Sequence, residues 1–214
     1  MDQTFEITDR TELRRKPERG RYDRDVAYAI LDEAFVGHVA FVDGSGHPVV
    51  IPTNIARQGD SLLIHGSPAS RMLRTLAGGV PMCATVTLVD GLVLAKSAFH
   101  HSVNFRSVVV FGTALAVTDH EEKRAAFDTI VEHIVPGRTA DARGASDTEL
   151  KGTTVLRLPL DEVSVKVRTG GPIDDEEDMS VPAWTGVIEM RTVYSAPSDA
   201  PGYATNYTRP SRAS

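Results

Sequence analysis

HPVVIPTNIARQGDSLLIHGSPASRML, residues 47–73, holds a strand, a turn, a second strand and a helix start, and the fold class follows from how they are joined. Pro48–Arg57 is rich in apolar and β-branched residues, and Gln58-Gly59-Asp60 turns it into a second strand, Ser61–His65. Pro52 lies inside the first strand. A proline has no N–H to give a ladder, so the strand is at an edge or kinked there, with free backbone groups that a flat polar heterocycle can use; a simple bulge is the other reading. A short helix is predicted over 68–77, with Ser67 as N-cap, Pro68 in the first position and Gly78-Gly79 as the stop.

Working outward, Asp43-Gly44-Ser45-Gly46 is a hairpin turn joining 48–57 to a strand over 38–43. Before it, Asp23 caps a helix whose Val26, Ile30, Leu31, Ala34 and Phe35 follow helical spacing, and Gly37 ends it. Residues 1–22 carry Arg14, Arg15, Lys16, Arg19 and Arg21 and read as a basic arm. On the C-terminal side, strands 80–89 and 92–99 are joined by Asp90-Gly91, read as another hairpin turn. A loop at 100–104 leads into a long strand, 106–117. Asp119 caps a helix over 120–134, residues 136–148 form a loop, and 153–159 and 162–168 are strands. Residues 23–190 make one domain, in which Pro182–Ile188 is the last segment able to pack. Residues 191–214 are predicted to be a disordered tail. Strands in hairpin steps, without βαβ alternation, predict a mainly β fold with peripheral helices: a six- to seven-stranded antiparallel barrel.

Composition narrows the function. A net charge of -6 and the absence of a dense basic stretch in the body argue against nucleic acid as partner. No apolar run has the roughly 18–20 residues of a membrane helix, and the polar first 20 residues carry no secretory signal. Cys83, the single cysteine, excludes an internal disulfide and reads as a core thiol. A soluble cytoplasmic protein is the expectation.

Three stretches can carry chemistry. In Leu62–Arg71 a buried strand runs into a helix start with Gly66, Ser67, Ser70 and Arg71. Free helix N–H groups and a guanidinium fork suit a phosphate, and a capped surface helix is the plainer alternative. In His100–Ser107, Asn104, Arg106 and Ser107 line a pocket or make ordinary ion pairs; His100-His101, adjacent on a loop with no carboxylate or thiolate beside them, do not read as a metal site. The third is the Ile51–Asn54 edge, with Pro52, Thr53 and Asn54. Lys96 interrupts an apolar strand and faces a pocket or solvent. Trp184, the only tryptophan, covers a ligand or seals the core. No hydrolase, P-loop or dinucleotide motif is present.

ILDEAFVGHVAFV (30–42), residues 47–73, DGLVLAKSAFHHSVNFRSVVVFG (90–112), a helix from about Glu121 and Trp184-Thr185-Gly186 stand in an order that resembles the pyridoxamine 5′-phosphate oxidase-like split-barrel family. The likeness is to its branch of nitroimidazole-resistance-type flavin-nucleotide-binding proteins, over about residues 14–190. It implies an FMN-binding split barrel, working as a homodimer with flavin mononucleotide in the interface clefts. Ser70-Arg71 corresponds to the family's phosphate-gripping Ser-Arg-Lys turn, with Met72 in place of the lysine and Lys96 or Arg106 compensating. His65 falls near the reactive ring, where it would act as a catalytic proton donor; Pro52, Thr53 and Asn54 would meet the isoalloxazine, and Trp184 would approach it from the tail. The implied function is a nitro- or quinone-reductase-like oxidoreductase, fed by a donor such as a nicotinamide nucleotide. A non-catalytic flavin store or sensor, a haem protein using His100 or His101 as axial ligand, and a deazaflavin protein are the alternatives.

Overall fold

In a computed structural model, residues 3–202 of the chain are described. The regular elements are β1 (Gly20–Arg21), α1 (Arg24–Glu33), β2 (Val36–Val42), β3 (Pro48–Gln58), β4 (Ser61–Gly66), α2 (Arg71–Ala77) and β5 (Pro81–Leu94). They continue with β6 (Ser102–Thr113), β7 (Leu115–Ala116), α3 (His120–Ile134), α4 (Arg138–Asp141), α5 (Asp147–Lys151), β8 (Thr154–Pro159), β9 (Glu162–Arg168) and β10 (Gly186–Glu189).

Every strand pair is antiparallel, in the order β1-β9-β6-β5-β2-β3-β4-β8-β7, with β10 added on β5. Only Ala114 separates β6 from β7, so a path leaving β6 through β5, β2, β3, β4 and β8 returns to the same stretch of chain. That closes a barrel of six staves, within the predicted count, with β1, β9 and β10 outside the closure. The barrel is split because β3 serves two half-sheets. Its residues 48–54 pair with β2, and its residues 55–58 pair with β4.

Alternation explains the apolar run Leu62-Leu63-Ile64. Leu62 and Ile64 point into the barrel with Val39, Val108, Val110, Leu156 and Leu158. Leu63 points outward, where Ala56, Val155 and the α3 residues Ala126 and Ile130 bury it. Ile30 and Leu31 of α1 and Leu73 and Leu76 of α2 complete the interior cluster.

Several boundaries differ from expectation. Gly37 does not end α1; the helix stops at Glu33 and Gly37 sits inside β2 opposite Thr53. Asp90-Gly91 is not a hairpin turn. β5 runs through it, paired with β6 from Pro81↔Thr113 to Val93↔Ser102, and the register shifts between Val89 and Gly91. Gly91 is needed there for a different reason: a Cβ would stand 3.0 Å from Ile188 O and 3.0 Å from Val187 Cγ1 of β10. The strand predicted over 92–99 therefore ends at Leu94, and β6 begins at Ser102, four residues earlier than expected.

The 136–148 loop contains α4 and the start of α5. Ser146 and Glu149 form a reciprocal capping box on α5. Residues before 22 are no free arm. Phe5 is buried, Phe5 N–H donates to Tyr22 O at 2.8 Å, and Ser164 Oγ donates to Thr11 O at 3.1 Å, so this stretch is a strap across β9. Of the predicted tail, 203–214 lies outside the described residues; within 191–202, Tyr194 packs edge-to-face on Phe35 with centroids 6.5 Å apart.

Candidate functional site

Strand register brings the predicted site residues that lie in strands toward one end of the barrel. Asn54 lies opposite Val36 at the start of β2, and His38 lies opposite Thr85. Leu88 and Val89 of β5 face Arg106 and Phe105, and Phe105 faces Arg168. The point where β3 changes partner, the ends of β4 and β9, the bulge of β5 and the start of β6 thus share a rim. The rim has two halves, with the C-terminus of α1 between them.

In the first half, β3 and β4 part after Ile55↔Ile64, so the outer edge of 48–54 has no strand partner among the described residues. This is the free edge that Pro52 predicted. Pro52 and Asn54 are exposed, Ile51 and Thr53 half-buried, and Asn54 Nδ2 donates to Phe35 O at 3.4 Å.

Across the gap, the His65 ring stands edge-to-face against Phe127, centroids 6.3 Å apart, with no hydrogen-bond partner among the described residues. Burial lowers its pKa, which favours the neutral imidazole.

A Cβ at Gly66 would lie 3.1 Å from Leu73 Cδ1, so packing alone favours glycine there. The helix cap is Ser70, whose Oγ accepts from Leu73 N–H at 3.4 Å, and not Ser67, whose Oγ accepts from Ala69 N–H at 3.2 Å in the preceding turn. Arg71 therefore opens α2, exposed and without an ion pair among the described residues. Met72 is core, 5% exposed, and cannot touch a cofactor phosphate.

The second half departs further from expectation. Arg106 is a clasp: its guanidinium donates to Glu33 at 2.6 and 3.0 Å and to Asp90 at 2.9 and 2.7 Å. Ser107 Oγ donates to Lys166 O at 3.4 Å. Asn104 is buried and accepts from Arg168 Nη1. Lys96 lies in no strand. Its N–H donates to Asp174 Oδ1 at 2.7 Å and its Nζ to Val181 O at 2.6 Å, so it ties down the returning chain. Trp184 is exposed, its ring against Gly186.

Folding supplies the carboxylates that the His100 loop lacks in sequence. His100 Nε2 is 3.0 Å from Asp175 Oδ2, and His100, Asp175 and Asp178 present ligand atoms within 4.8 Å of one another. His101 Nδ1 is 2.8 Å from Ser97 O. His100 Nε2 is taken by Asp175, whereas the Nδ1 contact of His101 leaves its Nε2 open as a ligand atom. Cys83 is half-buried, and burial pushes its thiol pKa up, which disfavours the thiolate. Sequence reasoning missed Glu33, Asp90 and Arg168, which meet the rim only through register.

No helix of the described residues is long and apolar enough to cross a membrane. A family model described as pyridoxamine 5′-phosphate oxidase matches residues 23–167. Among solved structures, the chain is similar to the flavocytochrome Anf3 from Azotobacter vinelandii: 38% identity, TM-score 0.87, covering 95% of this chain and 94% of that one. It is also similar to the FAD and heme binding protein from Mycobacterium smegmatis, at 38% identity and TM-score 0.84, covering 90% and 94%. A candidate 5-nitroimidazole antibiotic resistance protein from Bacteroides thetaiotaomicron matches at 27% identity and TM-score 0.59, covering 69% and 86%. A search of curated proteins finds no match.

Proposed function

The chain belongs to the pyridoxamine 5′-phosphate oxidase family, and from this we propose that it is a flavin-binding redox protein whose flavin lies along the open edge of β3. The observation that carries the proposal is the near full-length likeness to a flavocytochrome and to an FAD- and haem-binding protein. The rim supports it. The unpartnered 48–54 edge offers N–H and C=O groups to a flat heterocycle, and the exposed Arg71 beside the Ser67–Ser70 turn offers a fork of donors to a flavin phosphate. A bound flavin supplies the electron-transfer chemistry; the chain's part is to hold and orient it. FAD is favoured over FMN by the named cofactor of the mycobacterial relative, and Arg71 would serve the phosphate that either carries.

His65 would stand at the ring end of this edge, its neutral imidazole favoured by burial. The mycobacterial relative is also described as binding haem, and here haem would be a second group, whose iron His101 would hold through its open Nε2. A nicotinamide nucleotide as electron donor, nitro or quinone acceptors, and a homodimer with flavin in its interface complete the proposal. Exposed Val36 and Val50 on neighbouring strands support such an interface.

Titration of flavin-stripped protein with FAD and with FMN, followed by flavin fluorescence, tests this. Saturable binding is expected. Arg71→Ala should weaken it about ten-fold or more, since hydrogen bonds to charged groups contribute about 1.5–3 kcal/mol. Failure to bind either flavin refutes the proposal, and unchanged affinity in Arg71→Ala removes the phosphate assignment.

A further inference from the structure

The chain between α3 and α5 is built largely from small residues, with Ala140, Ala142, Gly144 and Ala145 along its middle. Two side chains of α3 pin it. Glu132 accepts from Gly137 N–H at 2.5 Å and from Thr139 N–H at 2.8 Å, and Arg124 donates to Ala145 O at 2.6 Å. Eight residues of helix separate Arg124 from Glu132, about 12 Å along the axis at 1.5 Å per residue. The chain between the pins therefore arches over the helix face that lies between them. Phe127, Asp128 and Val131 stand on that face, related by the spacings that make helical residues neighbours. The small side chains of the arch leave a cleft of about 390 Å³, with apolar walls from Phe127, Val131, Ala142 and Ala145. Small-molecule sites run from about 300 to 1,000 Å³.

Charge on the lining does not cancel. Arg143 and Glu149 neutralise each other, the guanidinium donating to the two carboxylate oxygens at 2.8 and 2.9 Å, and Ser146 N–H gives Glu149 a further bond at 2.7 Å. The remaining ionisable group of the lining is Asp128, exposed and without an ion pair or hydrogen bond among the described residues. The cleft thus sets one unmatched carboxylate beside apolar surface. An anion is repelled there, and a wholly apolar molecule leaves the charge unused. An ammonium carried on an apolar body satisfies both, and the Phe127 ring adds the attraction of an aromatic face for a cation.

We propose that this cleft is a second binding site, taking a small amine with an apolar body, for which Asp128 is the counter-charge and Phe127 and Val131 are the apolar floor. Every residue of its lining lies between Phe127 and Thr153, so the site stands whether or not flavin occupies the β3 edge.

The test is calorimetric titration of the full chain with 2-phenylethylamine, with 3-phenylpropionate, which puts a carboxylate on the same body, and with ethylamine, which has the charge and little body. Saturable binding of 2-phenylethylamine is expected, about five-fold or more tighter than 3-phenylpropionate, which is the discrimination one exposed carboxylate supplies. Ethylamine should show none. Asp128→Asn should bring the amine and the acid to equal affinity, a loss of selectivity that a purely structural role would not produce. Ala142 has an extended backbone, φ −101° and ψ 144°, which accepts a larger side chain. Ala142→Phe should therefore fill the cleft and abolish binding; should that variant fail to fold, the selectivity of Asp128→Asn decides. No saturable binding of 2-phenylethylamine overturns the proposal, as does equal or tighter binding of 3-phenylpropionate by the wild-type chain. Ethylamine binding as tightly as 2-phenylethylamine overturns it too. Binding that flavin displaces and Asp128→Asn leaves unchanged places the amine at the β3 edge and also overturns it.

Discussion

Replacing Arg106 by methionine separates a structural clasp from a cofactor ligand. The side chain is 30% exposed and forks onto two carboxylates, Glu33 and Asp90, with its closest contacts at 2.6 and 2.7 Å. Hydrogen bonds to Asp90, then to Glu33, hold its pKa above the ordinary guanidinium value. Exposed ion pairs contribute about 0.2–1 kcal/mol, whereas removing one partner of a buried pair costs about 3–5 kcal/mol. A partly buried cation serving two acids falls between these limits, and methionine keeps much of the stem's volume, so the expected loss is about 2 kcal/mol. In a chain of this length that is about 4–8 °C in Tm, or about 1 M in urea midpoint for an m-value of about 2 kcal/mol/M. Circular dichroism on heating and in urea measures both. Adding Asp90→Asn and Glu33→Gln to the variant should recover part of the loss, because the stranded charges are then gone. Flavin affinity of the folded variant should stay within about three-fold, a small fraction of the ten-fold per 1.4 kcal/mol that a lost contact would show. A Tm within about 1 °C of wild type, together with loss of flavin, refutes the clasp and returns Arg106 to the cofactor.

Two further outcomes follow from the rim. Because burial depresses the folded-state pKa of His65, the unfolded chain takes up its proton first as pH falls. Stability is therefore full above the unfolded value of about 6.5 and declines as pH drops from there toward the folded pKa. His65→Phe should flatten that part of a Tm-against-pH curve, and an unaltered slope would contradict the burial effect. At Gly91, a valine would collide with Ile188 O and Val187 Cγ1 of β10. Gly91→Val should free 186–189 to limited proteolysis while leaving the barrel's cooperative melt in place, and protection equal to wild type would show that β10 is not seated as described.

Much of the barrel could be read from local signals. The 43–46 turn, the Pro52 edge, the Asp119 cap with Glu122 N–H donating to it at 2.9 Å, and the doubly buried Leu62-Leu63-Ile64 run each carry their own physics within a few residues. What failed depended on partners distant in sequence. Asp90-Gly91 has turn chemistry, but β6 pairs across it and β10 needs the bare glycine. The strap before residue 22 looks polar because its anchors, Phe5 and Thr11, are isolated among charges, and only β9 gives them somewhere to bury.

Lys96 and Arg106 read as ligand residues because Val181 and Glu33, 85 and 73 residues away, cannot be foreseen as their acceptors. Ser67 and Ser70 are both plausible caps by type, and the turn closed by Ser70 N–H donating to Ser67 O at 2.9 Å decides between them. The Ser146–Glu149 box was present as a local signal, and could have placed α5 in the 136–148 loop.

A flavin held at this barrel's rim would show in the absorption spectrum of the purified chain, before and after incubation with FAD. A flavin band at about 450 nm that stays with the protein through gel filtration and bleaches on reduction is the predicted result. Protein that remains colourless after FAD and FMN are supplied, while folded by circular dichroism, would contradict it.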